Sequence, residues 1–237
     1  MSKIKLVTVF INEVMYRSFF DLNSFLLQTE KVCIDNRGDN RSVTVIYNEV
    51  IEQEIDNDYW LFFVHEDFEI KSDLEAVTGM LDKNSIYGTF GVRMEHGVPV
   101  AYGKHICSNK WGGNAVIAGM NIEGPEVVET LDCQSILVHT SLLRVIKGLR
   151  FDEKLSFDLY AEDFSINASK RHGISIGVFP LVFQHYSHGK ITQRYHDGLE
   201  YLRSKYPDVC VAGSCSFIGG ACKKAESKFK YNIEANR

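Results

Sequence analysis

The sequence lacks several things that would have pointed to other classes of protein. No run approaches the roughly 18 apolar residues needed to cross a membrane. There is no C-x-x-C pair, so a thiolate zinc knuckle is not expected. Positive charge is not in surplus: 26 Lys and Arg face 31 Asp and Glu, for a formal charge of -5, so nothing in the overall balance suggests nucleic acid. The N-terminal stretch MSKIKLVTVFINEV has no secretory pattern, because its apolar run is short, broken by Asn12 and Glu13, and followed by no small-residue cleavage site. A cytoplasmic location is therefore expected, with the inner membrane face as a variant. No G-x-S-x-G nucleophile motif occurs, and the N-terminus carries no Gly-rich, lysine-bearing phosphate loop. Repeats, linkers and low-complexity segments are absent too.

What remains is an ordinary globular chain. Its 237 residues are 45% hydrophobic, 24% charged and 12% aromatic, which fits one large domain or two small ones with a core of their own. The first part alternates strand and helix signals. Lys5–Phe10 reads as a strand and Met15–Leu27 as a helix. Lys31–Asp35 and Ser42–Tyr47 read as further strands. Asn48 is placed to cap a helix over EVIEQEI, and Tyr59–Val64, apolar on both faces, reads as a central parallel strand. Such alternation predicts an α/β fold with a Rossmann-like, mostly parallel sheet and helices on both faces.

The middle is rich in glycine and reads as short strands joined by long loops, with Trp111–Gly119 the most mobile. Beyond it, a helix is predicted near Phe164–His172 with Gly173 as its C-cap, then a strand over Ile174–Phe183. Another helix is predicted over Thr192–Tyr206, stopped by Pro207. The tail after Gly219, with Lys223, Lys224, Lys228 and Lys230, reads as a basic helix. The expected division is residues 1–190 as the catalytic domain and 191–237 as a C-terminal helical extension.

In a doubly wound sheet, ligands bind beyond the carboxyl ends of the strands. Ile11-Asn12-Glu13 follow the first strand, Asp35-Asn36 the second, and His65-Glu66-Asp67 the hydrophobic strand YWLFFV. Acidic groups and an imidazole thus gather at one edge, able to hold a base and ribose or a hard cation. Bland readings stand beside these: Asp35 as a turn carboxylate bonding its own backbone, and Asp67 as the cap of a helix FEIKSDL. The second half adds Tyr160-Ala161-Glu162-Asp163 and His185-Tyr186-Ser187-His188. Asp163 reads equally as an N-cap, and His185 as a structural donor.

The ordered series CIDNRGDN, WLFFVHEDFEI and GLRFDEKLSFDLYAEDFSINASKRHGISIGVFPLVFQHYSHGK resembles the family-2-type glycosyltransferases with the GT-A fold. It is nearest a subgroup of small bacterial glycosyltransferase-like proteins with a histidine-acid-aspartate motif. The resemblance runs from about Lys3 to Gly189. It implies that Asp35 and Asn36 meet the nucleotide base, with Asn12 and Glu66 on the nucleotide side. It implies Asp67 as the last acid of the metal motif, with His185 completing the metal or diphosphate site and His188 as the fallback. His65 stands where the commonest pattern has aspartate. Asp163 of the Glu162-Asp163 pair matches the catalytic base of inverting members, and Phe151-Asp152-Glu153 matches an architectural signature.

The implied activity is inverting transfer of a hexosyl or deoxyhexosyl group from a UDP- or dTDP-sugar to a saccharide or lipid-linked hydroxyl, assisted by Mn²⁺ or Mg²⁺. Surface-polysaccharide assembly is the family's habit. A non-catalytic nucleotide-binding module on the same fold is the alternative. The basic tail offers a solvated face or peripheral contact with an anionic membrane. The six cysteines are expected to be buried or idle thiols in a reducing compartment, with Cys210, Cys215 and Cys222 the one unusual cluster.

Overall fold

A computed structural model describes residues 3–107, 116–186, 191–222 and 233–235. Strand β1 (Lys3–Phe10) is followed by the short helix α1 (Glu13–Tyr16), a π-helical turn at Arg17–Asp21 and a 3-10 turn at Ser24–Leu26. Next come β2 (Glu30–Asp35), α2 (Val43–Glu54), β3 (Tyr59–His65), β4 (Phe68–Ile70) and α3 (Leu74–Thr78). The glycine-rich middle does form short strands: β5 (Ile86–Gly88), β6 (Gly91–Glu95), β7 (Val98–Tyr102), β8 (His105–Cys107), β9 (Val116–Ala118), β10 (Glu126–Val127) and β11 (Thr130–Leu131). Then follow β12 (Ser135–His139), α4 (Thr140–Val145), α5 (Tyr160–Ile166, continued by a π-helical Asn167–Arg171), β13 (Ile176–Val178) and β14 (Phe183–His185). The last elements are α6 (Gln193–Lys205), β15 (Val211–Ala212), β16 (Phe217–Ile218) and β17 (Ile233–Ala235).

The seven-stranded central sheet has the order β10-β13-β5-β12-β3-β1-β2. β1 runs parallel to both β2 and β3, and β13 runs parallel to β5. β12 lies antiparallel between β3 and β5, and β10 is antiparallel at the edge. Five of the seven strands run one way, as in the mostly parallel α/β sheet the sequence pattern predicts. β3 shows why it forms. Its residues alternate between two cores, with Leu61 and Phe63 in one and Trp60, Phe62 and Val64 in the other. All five are buried, each contributing roughly 1.5–3 kcal/mol of hydrophobic stabilisation. The first core also takes buried residues from α2, α4, α5 and α6, and the second takes Phe19, Phe20 and Leu26. A five-stranded sheet, β17-β9-β8-β14-β4, flanks the site end of β3.

Several local expectations are corrected. Ser42–Tyr47 is not a strand and Asn48 is not a cap. Val43–Glu54 is one helix of 12 residues, because Val43, Ile46, Tyr47, Val50 and Ile51 recur at helical spacing and are all buried. Asn48 instead clamps the later loop, donating to the Phe151 carbonyl at 2.9 Å and accepting from the Phe151 N–H at 3.0 Å. FEIKSDL does not start a helix at Asp67, because Phe68–Ile70 is a strand. The predicted strand Ile174–Phe183 is two strands in two sheets. Pro180, which has no N–H to offer a ladder, lies in the crossover between β13 and β14. The helix expected over Met15–Leu27 breaks at Asn23, whose side chain donates to the carbonyls of Phe19 and Ile70 and accepts from the Phe25 N–H.

Other expectations hold. Gly173 ends the α5 helical run with φ +68°, and Thr192 precedes α6, which stops before Pro207. The C-terminal segment is more than helical: Tyr195, Leu199, Leu202, Val211 and Ile218 belong to the main core, and β15 and β16 form a hairpin. That hairpin brings Cys210 and Cys222 to a Cα separation of 4.8 Å, within disulfide range, and they are bonded. This corrects the expectation of idle thiols for these two. Among the described residues, Cys33, Cys107, Cys133 and Cys215 take part in no disulfide. The tail lysines lie outside the described residues; Ile233–Ala235, beyond them, is a strand rather than part of a helix. Among the described residues, no helix is long and apolar enough to cross a membrane.

The Asn48 clamp can be measured. Asn48→Ala leaves the Phe151 N–H and carbonyl without their partner and is expected to cost about 1–3 kcal/mol in urea denaturation. A change below about 0.5 kcal/mol, as for an ordinary surface substitution, would contradict the clamp.

Candidate active site

β3 delivers His65 to the carboxyl edge of the central sheet, and Glu66 and Asp67 follow in the turn to β4. β4 pairs antiparallel with β14, with Phe68 opposite His185. The Tyr186 N–H continues the pairing by donating to the Asp67 carbonyl at 2.9 Å. This register sets the His185 Nε2 3.1 Å from Asp67 Oδ1, while His65 Nδ1 lies 4.0 Å from the same oxygen. One ligand atom from each of His65, Asp67 and His185 falls within 4.8 Å of the others.

Electrostatics favour a charged acid at this centre. Burial alone would raise the Asp67 pKa, but His185 and His65 beside it outweigh burial and hold it at about 2. Burial lowers His65, with Asp67 opposing. Burial also lowers His185, but Asp67 more than compensates and the net shift is upward. A third imidazole, His105 on β8, has its ring 5.4 Å from that of His185 and is lowered to about 3, first by burial and then by His185. Among the described residues, His105 Nε2 and His185 Nδ1 are buried and have no hydrogen-bond partner.

Two imidazoles and one carboxylate, clustered with buried ring nitrogens that no described residue bonds, fit a divalent transition cation. Imidazole donors suit a transition cation better than Mg²⁺, which prefers an all-oxygen shell. Asp67 keeps 23% of its side-chain surface exposed, so the centre is open.

It opens into a cavity of about 380 Å³, within the usual size of a small-molecule site. Its lining includes Asn36, Arg41 and Tyr47, then His65, Glu66 and Asp67, and finally Phe157 and Arg194. Phe157 stacks on His65 with ring centroids 5.2 Å apart, and the Arg194 guanidinium lies 5.0 Å from the Phe157 ring centroid while bonding Asp158.

The expected site residues are placed as follows. Asn36 lines the cavity, where its side chain pins the 36–41 turn by bonds to the Arg41 N–H and carbonyl. Glu66 lines it too, with one oxygen accepting from the N–H groups of Ile11 and Asn12 at 2.7 Å each. Burial raises its pKa, against those two bonds. Asn12 caps α1 by accepting from Val14 and Met15 N–H groups and does not line the cavity. Asp35 does not line it either. Its carboxylate is held below its usual range by hydrogen bonds from the Arg37 side chain and backbone, and Arg37 also bonds Glu13. His188 lies outside the described residues.

Glu162 and Asp163 point to different neighbours. Asp163 Oδ1 accepts from Lys205 Nζ at 2.7 Å and from the Tyr206 hydroxyl at 2.9 Å, so it faces α6. Glu162 accepts from the Cys133 thiol at 3.3 Å, and Cys133 in turn accepts at its carbonyl from Tyr160, the hydroxyl that meets His65. Burial, then the Asp132 charge, push Glu162 up to about 8. Of the pair, Glu162 is connected to the imidazole–carboxylate centre.

Sequence reasoning did not count His65 among the candidate metal-binding residues, reading it as a departure from aspartate. It also missed Tyr47, His105, Asp132, Phe157 and Arg194. The run HED beside a late histidine carried a signal for His65; no local pattern carried one for the others.

No protein-family model and no curated protein matches the sequence. Among solved structures, S. aureus TarS 1-349 is similar at 15% identity and a TM-score of 0.50, with 85% of this chain and 64% of that chain covered. A197 from STIV gives 14% identity, a TM-score of 0.48, and 78% and 86% coverage. A glycosyltransferase involved in the glycosylation of the major capsid of PBCV-1 gives 9%, a TM-score of 0.39, and 82% and 98%. The fold is shared with TarS.

The raised Glu162 makes a stability prediction. Below its ordinary value of 4.5 both folded and unfolded chains hold the proton. Between 4.5 and about 8 the folded chain keeps a proton that the unfolded chain has lost, so stability falls as pH rises through that window. Urea unfolding at pH 5 and pH 8 should show this loss, and Glu162→Gln should remove that part of it. An identical pH dependence in the two proteins would contradict the assignment.

Proposed function

We propose that this chain is an inverting glycosyltransferase that moves a sugar from a UDP- or dTDP-sugar to a saccharide or lipid-linked hydroxyl. One observation carries the reading: the His65–Asp67–His185 centre opens, through His65 and Asp67, into the same cavity as Asn36 and Arg41 of the turn between β2 and α2 and Tyr47 of α2. A nucleoside diphosphate needs those two things side by side, a cleft for the nucleoside and a cation centre for the phosphates. The GT-A-like sheet, with the cavity beyond its carboxyl edge, and the sequence resemblance support the same reading. Fold alone would not.

In this reading His65, Asp67 and His185 hold the cation. A bound divalent cation supplies charge neutralisation to the departing diphosphate. Asn36 and the 36–41 turn shape the nucleoside cleft. Glu66 fixes the loop after β1 through its two backbone bonds, and Asp35 contributes at the rim after exchange of its Arg37 partner. Glu162 is the better base of the acidic pair. A carboxyl raised to about 8 is a stronger base than an ordinary one in the fraction of molecules that has shed its proton, a fraction that grows as pH rises toward 8, and there it can take the acceptor hydroxyl proton in the transition state. Asp163, committed to Lys205 and Tyr206, holds α6 against α5. The alternative, a nucleotide-binding module without turnover, is favoured by one observation: both acids are buried, at 3% and 1% exposure.

Two tests separate these readings. Incubation with UDP- and dTDP-sugars plus Mn²⁺ should release nucleoside diphosphate; binding without release across the panel would favour the module. If release occurs, Glu162→Gln should lower kcat by about 100-fold or more, the scale of general-base loss, and Asp163→Asn should act mainly through stability. The reverse ranking in folded variants would return the base to Asp163.

A further inference from the structure

The hydrogen bonds around Tyr160 determine which nitrogen of His65 carries its proton. Tyr160, at the start of α5, is 1% exposed. Its hydroxyl lies 2.5 Å from the Cys133 carbonyl oxygen and 2.9 Å from His65 Nε2. A phenol has one proton to give, and a carbonyl oxygen can only accept. The Tyr160 proton therefore goes to Cys133. The contact with His65 is a hydrogen bond only if Nε2 carries a proton and donates to the phenol oxygen. A neutral imidazole so arranged leaves its lone pair on Nδ1, the nitrogen that lies 4.0 Å from Asp67 Oδ1. Phe157 stacks on the ring at an interplanar angle of 16° and fixes its plane.

We propose that Tyr160, through its bond to the Cys133 carbonyl, is a positioning residue that locks His65 in the Nε2–H tautomer and so presents Nδ1 as a cation ligand. This rests on the cation reading of the His65–Asp67–His185 centre and deepens it. It gives His65 a role as a full ligand where the usual pattern has aspartate. It also makes the centre a two-imidazole, one-carboxylate site whose donors prefer Mn²⁺, Co²⁺ or Zn²⁺ to Mg²⁺. Partners that orient a ligating imidazole typically change metal affinity 10- to 100-fold. The sequence offers no sign of the arrangement, since Tyr160 lies in the YAED run and Cys133 precedes β12.

The test uses the full chain, metal-free, at a pH where the imidazole is neutral. Long-range ¹H–¹⁵N correlation of side-chain histidine nitrogens, assigned with His65→Gln, reports the tautomer directly. Wild type should show the His65 proton on Nε2. Tyr160→Phe should populate the other tautomer and bind Mn²⁺ about 10- to 100-fold more weakly by calorimetry, with the metal-free melting curve confirming that it folds. A His65 proton on Nδ1 in wild type overturns the inference, and it decides the matter alone if Tyr160→Phe does not fold. Unchanged Mn²⁺ affinity in a folded Tyr160→Phe also overturns it, while leaving the cation centre intact. A wild type that holds the Nε2 proton but binds no Mn²⁺, Co²⁺ or Zn²⁺ overturns the cation reading itself, and this inference with it.

Discussion

The pairing of β4 with β14 is the constraint on which the site depends. The two strands are three residues each and far apart in sequence, yet their register is what sets His185 beside Asp67. A slip of one residue would turn His185 to the other face of its strand and dissolve the centre. The register is held by apolar packing as much as by the ladder. Phe68 stacks on Phe183 at 4.6 Å, and Phe68, Ile70 and Phe183 are all buried in the second core. The chain reaches that register by leaving the central sheet after β13, through the segment containing Pro180. The imidazole–carboxylate contact is thus a consequence of how two sheets share one core.

A second set of contacts ties the C-terminal segment to the acidic pair. Lys205 near the end of α6 bonds both Asp152 and Asp163, and Tyr201 and Tyr206 add hydroxyl donors to the same two acids. Buried ion pairs of this kind seldom add net stability over an apolar replacement, but losing one partner is costly, about 3–5 kcal/mol. Their effect here is geometric. They hold Asp163 toward α6, which turns Glu162 toward Cys133 and the histidine centre. The Cys210–Cys222 bond closes the hairpin that follows α6, and Gly213 in that hairpin packs against Glu162: a Cβ there would lie 3.4 Å from Glu162 Cγ. The segment after residue 190 therefore shapes the surroundings of the acidic pair.

Much of the fold was legible because period and burial coincide. YWLFFV reads as a strand buried on both faces, and β3 is one. Gly173 and Pro207 stop helices for local steric reasons that need no tertiary information. The failures have a common cause. SVTVIY is β-branched, and local propensity favours a strand; only the partners of Tyr47 and Ile51 in the core decide for a helix. FEI could begin a helix or form a strand, and the choice is made by β14, more than a hundred residues later. At the site, the acids were legible by type and order, but their directions were not. Asp35 was matched to the nucleotide base, with a turn carboxylate as the bland reading; it accepts from the Arg37 N–H, as the turn reading has it, and from the Arg37 side chain. Asp163 was read as facing substrate and faces Lys205. His65 was read as a departure from the motif, and it lies with Asp67 and His185 in one cluster. Direction is a tertiary property, and adjacent residues on a helix such as Glu162 and Asp163 point about 100° apart whatever their chemistry.

The central claim is that His65, Asp67 and His185 together hold a cation against a nucleoside diphosphate in the cavity above β3. An anomalous-difference map from crystals grown with Mn²⁺ and UDP tests it most directly. The account predicts a peak within coordination distance of all three side chains, with diphosphate oxygens completing the shell and the nucleoside lying toward Asn36 and Tyr47. A diphosphate bound with no anomalous peak at this centre, or a peak held by other residues, would contradict it.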